Sequence, residues 1–517
     1  MNESSRQITT AAIISYITIA INIIAGLIYT PWMIDQIGKS HYGLYTLAMS
    51  IIALFTFDFG LGEAITRYVS KFVVEGDKRK EAIFLNSIFK FFGYVSIAIF
   101  VIFMGVYFFA DKIYVELTPQ ELHSFKQVFI IAALFAVVSF PFKPVDGILF
   151  AHERFIFFKS AVLIHRLLTI GSTILVLVLG FDLMGLIIVN AATGLLLVII
   201  KLVYGFKHKI INYRTKEKDK ELMKGVIKFS VWTTLIALTQ RLIFNVSPSI
   251  IAAFSGSTQI SIFAIASTLE GYTWTVATAL SGLFLAKVTR LLKQGDNEKK
   301  ILALMIKIGR IQLFIVGLII IGFTLVGQEF ILRWVGPDFQ EAYLITLLII
   351  IMQIISITQD IAKTSLVAKG DIKYRAIGTL IMGTISLLGS LLLAKSLGAL
   401  GVGISIFFGQ LIGNVIYMNY VYAKKLNINL GSFFSQVHLR FIPTTIITLV
   451  LGFMSIYYIP TGRWLWLFVK IIIVFLIFVL SAWLTFLNKE EKTLFVSIIK
   501  RIIGKIFNRR KKEKSDV

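Results

Sequence analysis

The chain has 517 residues, of which 57% are hydrophobic and only 15% charged, and its mean hydropathy is +0.83. A soluble core of this length cannot hide so much apolar surface, and the long apolar runs lack the alternation of barrel strands, so the expected fold class is an all-α integral membrane protein. Fifty-two Lys and Arg against 28 Asp and Glu give a net charge of +24, but the excess lies between apolar spans, which points to positive-inside topology and argues against nucleic acid as a partner.

Apolar periodicity predicts about fourteen spans, near 9–30, 42–62, 83–110, 127–149, 160–180, 183–204, 229–252, 260–286, 308–328, 342–362, 375–394, 398–422, 441–460 and 464–487. The run from Thr9 to Tyr29 is too long for the core of a secretory signal and ends in no small-x-small site, so it reads as the first membrane helix. Next comes a hairpin. The chain turns through Pro31, Asp35, Gly38 and Lys39, recrosses with Gly43-Leu44-Tyr45, and leaves the apolar zone at Asp58-Phe59-Gly60-Leu61-Gly62. A basic loop with Arg67, Lys71, Lys78, Arg79 and Lys80 follows.

That plan recurs. Pro248 follows Pro31, and Leu366-Val367-Ala368 follows Leu149-Phe150-Ala151, at an offset of about 217 residues; Gly295-Asp296 follows Gly76-Asp77 at about 219. An even number of spans separates the copies, so the duplication predicts two six-helix bundles related by a parallel repeat about an axis along the membrane normal. The expected domains are a first bundle over 1–204, a basic linker over 205–228, a second bundle over 229–422, two further helices over 423–487, and a basic amphipathic tail over 488–517.

With both termini in the cytoplasm, about three quarters of the Lys and Arg fall on the cytoplasmic side, so a multi-pass protein of the cell membrane is expected. The linker carries Lys207, Lys209, Arg214, Lys216, Lys218, Lys220, Lys224 and Lys228. The tail repeats Leu494, Phe495, Ile498, Ile499, Ile502, Ile503 and Ile506 at helical spacing among its basic residues. Both patterns suit anionic lipids of the inner leaflet, the tail as a helix lying on the surface.

An ionisable group inside hydrocarbon costs about 2.5–3.5 kcal/mol, so each asks for a reason. Lys90 and Lys201 are near enough to the cytoplasmic face to snorkel, Lys143 and Asp146 are placed to pair, and Asp58 and Glu63 suit either helix capping or substrate contact. Arg241 and Glu270 fall near mid-bilayer on the seventh and eighth spans. Thr234, Ala237, Arg241, Asn245 and Pro248 share one helical face; Ser267, Glu270, Trp274, Thr278 and Ser281 share another; Ser15, Thr18, Asn22 and Tyr29 line the first span. Three polar stripes predict a wet cavity with Arg241, Asn22, Asn245 and Trp274 as substrate-binding residues and Glu270 as an ion-coupling one. The alternative is a structural Arg241–Glu270 bridge in a dry bundle.

No catalytic set is visible. With no Cys, there are no thiolate metal sites or Cys nucleophiles, the six His form no ligand pair, and the external loops are short, so neither an enzyme nor a metal or other cofactor is expected.

Gly43-Leu44-Tyr45, Asp58-Phe59-Gly60-Leu61-Gly62 with Arg67-Tyr68, and Leu149-Phe150-Ala151, set in a fourteen-span two-bundle layout, resemble the prokaryotic polysaccharide exporters. These are lipid-linked oligosaccharide flippases of the multidrug/oligosaccharidyl-lipid/polysaccharide (MOP) superfamily. The resemblance implies a MATE-like fold, alternating access, and a polyprenyl-pyrophosphate-linked oligosaccharide carried from the inner to the outer leaflet for cell-surface polysaccharide synthesis. A proton or sodium ion and a polysaccharide polymerase are further candidate partners. A central Arg favours an anionic diphosphate head over a cationic drug, whereas Glu270 keeps a cation-coupled multidrug antiporter as the alternative.

Overall fold

The computed structural model describes residues 3–58, 60–211, 217, 219–278, 284–293, 297–493 and 495–497, and among them every regular element is helical. Most of the basic tail, the pair Gly295-Asp296, Ser281 and part of the linker lie outside the described residues.

In chain order the helices are α1 (Glu3–Ile37), α2 (Lys39–Phe55), α3 (Leu61–Glu75), α4 (Lys78–Ile113), α5 (Pro119–Ser139), α6 (Pro144–Ala151), α7 (Phe155–Val178), α8 (Leu183–Lys207), α9 (Lys220–Phe244) and α10 (Ser247–Phe254). They continue with α11 (Gly256–Ala277), α12 (Leu285–Lys293), α13 (Asn297–Trp334), α14 (Glu341–Thr358), α15 (Asp360–Ala368), α16 (Ile372–Gly409), α17 (Met418–Leu426), α18 (Leu430–Phe434), α19 (Arg440–Tyr457) and α20 (Trp464–Thr485). Caps set several of the boundaries. Thr118 and Glu121 form a reciprocal capping box at α5. At α4 the Asp77 carboxylate accepts from Lys80 N at 2.9 Å, a bond that holds this exposed carboxyl below its ordinary pKa.

Eleven helical segments among the described residues are long and apolar enough to cross a membrane. They differ from the fourteen expected spans in three places. The second expected span is broken at Thr56–Gly60 into α2 and α3, of 17 and 15 residues. The eighth, α11, carries too many Ser, Thr, Gln and Glu side chains along its 22 residues. The eleventh and twelfth run together as one 55-residue segment, Ile372–Leu426. That segment folds back on itself at Gly398 (φ 56°), with Gly389 against Ser405, Gly409 against Ser386 and Gly413 against Gly378. Partners placed symmetrically about Gly398 define a tight antiparallel hairpin, closed by small residues that let two backbones touch.

The chain divides into two compact units. The first comprises Met1–Ala279, Trp334–Gln353 and Leu366–Val421. Within it, α2 and α11 start from glycines in the left-handed region, Gly38 (φ 82°) and Gly256 (φ 80°), and pack together. Ser257 Oγ and Ser40 Oγ stand 2.9 Å apart across a separation of 217 residues. These are the positions that the duplication makes equivalent, and equivalent positions touch each other only at a two-fold axis. The Glu121 carboxylate closes this contact, accepting from Ser40 Oγ at 2.6 Å and Ser257 Oγ at 2.5 Å.

Gly43, one turn further along α2, lets the helices meet, since a Cβ there would stand 2.2 Å from Ser257 O. Replacing it with Ala must push backbone against backbone. Gly43→Ala is expected to lower stability by about 1–3 kcal/mol, read as a fall in the melting temperature of the detergent-purified protein; an unchanged melt would refute this packing.

The second unit comprises Leu280–Arg333, Ile354–Ser365 and Tyr422–Val517. Here α19 and α20 are joined by hydroxyl rungs, Thr444 to Thr485 at 2.7 Å and Thr448 to Ser481 at 2.8 Å, beside an apolar cluster of Val326, Leu467 and Val474. Lys470, buried in α20, donates to Glu329 Oε2 at 2.6 Å.

Candidate functional site

Three crossings of the first unit are interrupted, and charged groups sit at each interruption. Between α2 and α3 the chain breaks at Asp58, whose carboxylate accepts from Gly60 N and Gly62 N, each at 3.2 Å. This is the capping role weighed for it in the sequence, and it is made possible by Gly60 in the left-handed region (φ 63°). Between α5 and α6 the chain narrows to a 3₁₀ turn over Phe140–Phe142, with Lys143 joining it to α6, because Pro141 and Pro144 withhold the amide protons that a continuous α-helix needs. Between α9 and α10, Asn245 and Val246 form the break ahead of Pro248.

Arg241 lies one turn before that last break, twelfth of the 25 residues of the segment Ser230–Phe254. Its Nη1 donates to Ala53 O at 3.1 Å. Ala53 belongs to the last turn of α2, whose carbonyls lose their helical partners where the helix stops. Arg241 therefore caps the negative end of α2, with Asp58 acting on its charge. Lys143 stands within electrostatic reach of Asp146, Asp58, Arg241 and Lys201. Around these breaks Lys143 and Arg241, with Lys201 from α8, share the carboxylates of Asp58 and Asp146.

Two expected pairings are corrected. Asp146 pairs with Lys201, at 2.7 Å, rather than with Lys143, and Lys201 is buried under the Phe158 ring instead of snorkelling. Arg241 and Glu270 form no ion pair among the described residues. Glu270 is buried and accepts from Gln353 Nε2 of α14. The physical reason is lateral. Helix α9 packs chiefly on α16, α3 and α2, and α11 chiefly on α2, α10 and α16, so the two residues share a depth but their helices are not close packing partners.

The other expected site residues scatter around this centre. Asn245 sits in the α9–α10 break, its amide bonded to Arg241 O at 2.8 Å. Asn22 is on α1 with a buried Oδ1 that has no hydrogen-bond partner. Trp274, one turn beyond Glu270, is exposed.

A second cationic centre is one that sequence reasoning missed. Arg166 is the twelfth of the 24 residues of α7, at mid-helix, and its buried Nε lacks a hydrogen-bond partner. It acts electrostatically on Tyr29 of α1, Tyr45 of α2, Tyr272 of α11 and its neighbour His165. Tyr272 presses its hydroxyl against Gly26, one turn from Asn22, where any side chain would collide with it. An Arg halfway along an apolar helix is a signal in its own right. The signal is legible, because Thr169 and Thr173 continue a polar stripe from His165 and Arg166 at helical spacing.

Membrane helices that break beside Arg241 and Lys143, with the half-buried Arg166 on α7, make up the candidate site. The sequence profile described as "Polysaccharide biosynthesis protein" matches residues 9–289, more than half of the chain. The chain belongs to that family. A search of curated proteins returned no match. Among solved structures, the lipid II flippase MurJ in an inward closed conformation is similar at 14% identity with a TM-score of 0.69, covering 91% of this chain and 97% of that one. An inward-facing multidrug-resistance MATE transporter of the MOP superfamily matches at 13% identity and a TM-score of 0.59, over 80% and 99% of the two chains. A MOP superfamily transporter from Pyrococcus furiosus, described as having reversed binding-pocket polarity, matches at 13% identity and 0.58, over 82% and 96%. These likenesses give the fold, which is the one expected.

Proposed function

We propose that the protein flips a polyprenyl-pyrophosphate-linked oligosaccharide from the inner to the outer leaflet by alternating access. The observation that carries this reading is the pair of half-buried cations in the first unit, Arg241 beside the α9–α10 break and Arg166 halfway along α7, with the exposed Lys143 within electrostatic reach of Arg241. A diphosphate head offers several acceptor oxygens and matches a guanidinium fork bidentately. In this mechanism the diphosphate replaces Ala53 O as the partner of Arg241. Asn22 and Asn245 supply hydrogen bonds, and Trp274 offers an aromatic face to the sugar. The family description and the flippase among the structural neighbours point the same way.

Glu270 supports the coupling ion. The Gln353 group that donates to it is a neutral amide, and Gln353 Oε1 has no hydrogen-bond partner. A protonated Glu270 could donate to that oxygen once the amide is turned, so both protonation states find a partner in the same place. The same carboxylate keeps a second reading, a cation-coupled multidrug antiporter, in play.

Proteoliposomes separate the two. Purified protein should move a fluorescent polyprenyl-diphosphate saccharide between leaflets and should not accumulate a cationic dye. In the same vesicles Glu270→Gln should flip at a rate insensitive to a proton or sodium gradient. Gradient-driven dye uptake without saccharide movement would establish the antiporter, and undiminished gradient dependence in Glu270→Gln would remove Glu270 from the coupling step.

A further inference from the structure

The second unit contains a cavity of about 700 Å³, in the size range of sites that hold small molecules. It runs beside α13 from Lys299 to Ile315, about 24 Å of helix at 1.5 Å per residue. Lys299 stands at one end and Lys307 about 12 Å further along, past the apolar run from Ile301 to Ile306. Ala303, Ile311, Phe314 and Phe495 line the rest. A charged mouth leading to an apolar shaft along the helix axis is the shape of one lipid standing in one leaflet. The abundance of Lys at this end of the unit, with Lys300, Lys489 and Lys492 beside the mouth, assigns it to the cytoplasmic leaflet.

The charges at the mouth select the head group. Arg310 is fully engaged: Nε and Nη2 donate to Glu491 at 2.6 and 2.8 Å, Nη1 donates to Gln436 O at 2.8 Å, and Phe486 O takes a further bond. This clamp cancels Glu491 inside the wall. Lys299, Lys307 and Glu490 remain. The Lys307–Glu490 pair is 3.7 Å long, with side chains 62% and 84% exposed, so water screens it and a ligand can displace it. With Lys300, Lys489 and Lys492 beside them, these residues leave the mouth net positive, which an anionic head group balances. The chain's own tail beyond residue 497 is strongly basic and would meet Lys299 and Lys307 as like charge.

We propose that this groove binds one anionic phospholipid of the cytoplasmic leaflet, its phosphate between Lys299 and Lys307 and an acyl chain along Ile311 and Phe314. The site is separate from the transported substrate, and its test reads lipid binding rather than transport.

The full chain, delipidated in detergent, is offered equal amounts of dioleoyl phosphatidylglycerol and dioleoyl phosphatidylcholine, and retained lipid is counted by native mass spectrometry. One phosphatidylglycerol per chain is expected, with at least tenfold preference over phosphatidylcholine. Ala303→Trp fills the shaft from an exposed helix position and should cut retention of both lipids at least tenfold. Lys299→Glu with Lys307→Glu should abolish the preference, and decides the matter if the Trp variant does not fold. Equal retention of the two lipids by the unaltered protein, or unchanged retention in both variants, overturns the proposal. So does displacement of phosphatidylglycerol by sub-stoichiometric undecaprenyl phosphate, which would make the groove part of the substrate path. Lipid binding that appears only after deletion of residues 498–517 would make the tail the native occupant and overturn it as well.

Discussion

Arg241→Ala should reach the membrane folded and flip lipid-linked saccharide at least a hundredfold more slowly than the unaltered protein. A guanidinium can give a diphosphate two charge-assisted hydrogen bonds, each worth about 1.5–3 kcal/mol, and a loss of about 3 kcal/mol is roughly a hundredfold in rate. In the present conformation the side chain is lightly held, by one bond of 3.1 Å to Ala53 O and by the charge of Asp58. Truncation therefore costs the fold little: the cap on the end of α2 contributes about 0.3–1 kcal/mol. Arg241→Lys separates charge from geometry. A point charge can still attract the diphosphate but cannot engage it with a planar fork, so an intermediate rate, about tenfold down, is expected. Flipping is measured in proteoliposomes, with insertion checked by the detergent melting temperature. A folded Arg241→Ala that flips at the normal rate would show that Arg241 serves only as the cap of α2.

How much of this can be seen in the chain follows from what each signal encodes. Hydropathy reports crossings, and most of the crossings are where it places them. It is blind to interruptions, because a broken helix keeps its apolar composition. Asp58-Phe59-Gly60-Leu61-Gly62 reads as the end of a span, whereas the chain turns at Gly60 and resumes as α3. The offset of about 217 residues carries more. It makes Ser40 and Ser257 equivalent, and their meeting at the Glu121 carboxylate follows from that equivalence if the axis runs between α2 and α11.

Pairings are least legible. Position along a helix gives depth, and depth alone makes Arg241 and Glu270 look like partners; which neighbour lies beside each is decided by packing, and α9 and α11 each pack chiefly on other helices. Asp146 has two Lys within its reach, and only the fold chooses Lys201. Arg166 can be read from α7 alone, but the Tyr residues that surround it come from three other helices and cannot.

Arg310→Ala should destabilise the protein by about 3–5 kcal/mol, more than either Gly43→Ala or Arg241→Ala. The guanidinium is 3% exposed and joins α13 to two other parts of the second unit, the Gln436 turn and the segment from Phe486 to Glu491. It also stacks on the Phe486 ring, 4.2 Å from its centroid. Removing it leaves Glu491 charged and largely enclosed and takes one donor each from Gln436 O and Phe486 O, and the stranded charge carries the larger desolvation cost. Glu491→Ala strands the opposite charge and should cost a similar amount.

A double substitution distinguishes the contributions. If the ion pair alone mattered, Arg310→Met with Glu491→Leu would restore much of the stability, because a well-packed apolar pair can replace a buried ionic one. The two carbonyls argue against full restoration. Only Arg310 serves both of them, so the double variant should recover the part due to the stranded charge and remain below the unaltered protein by about 1–3 kcal/mol. Thermal unfolding in detergent of the two single variants and the double one gives the cycle. Full recovery in the double variant would mean that the carbonyl contacts contribute nothing, and an Arg310→Ala melt within a degree of the unaltered protein would mean that this clamp does not hold the unit together.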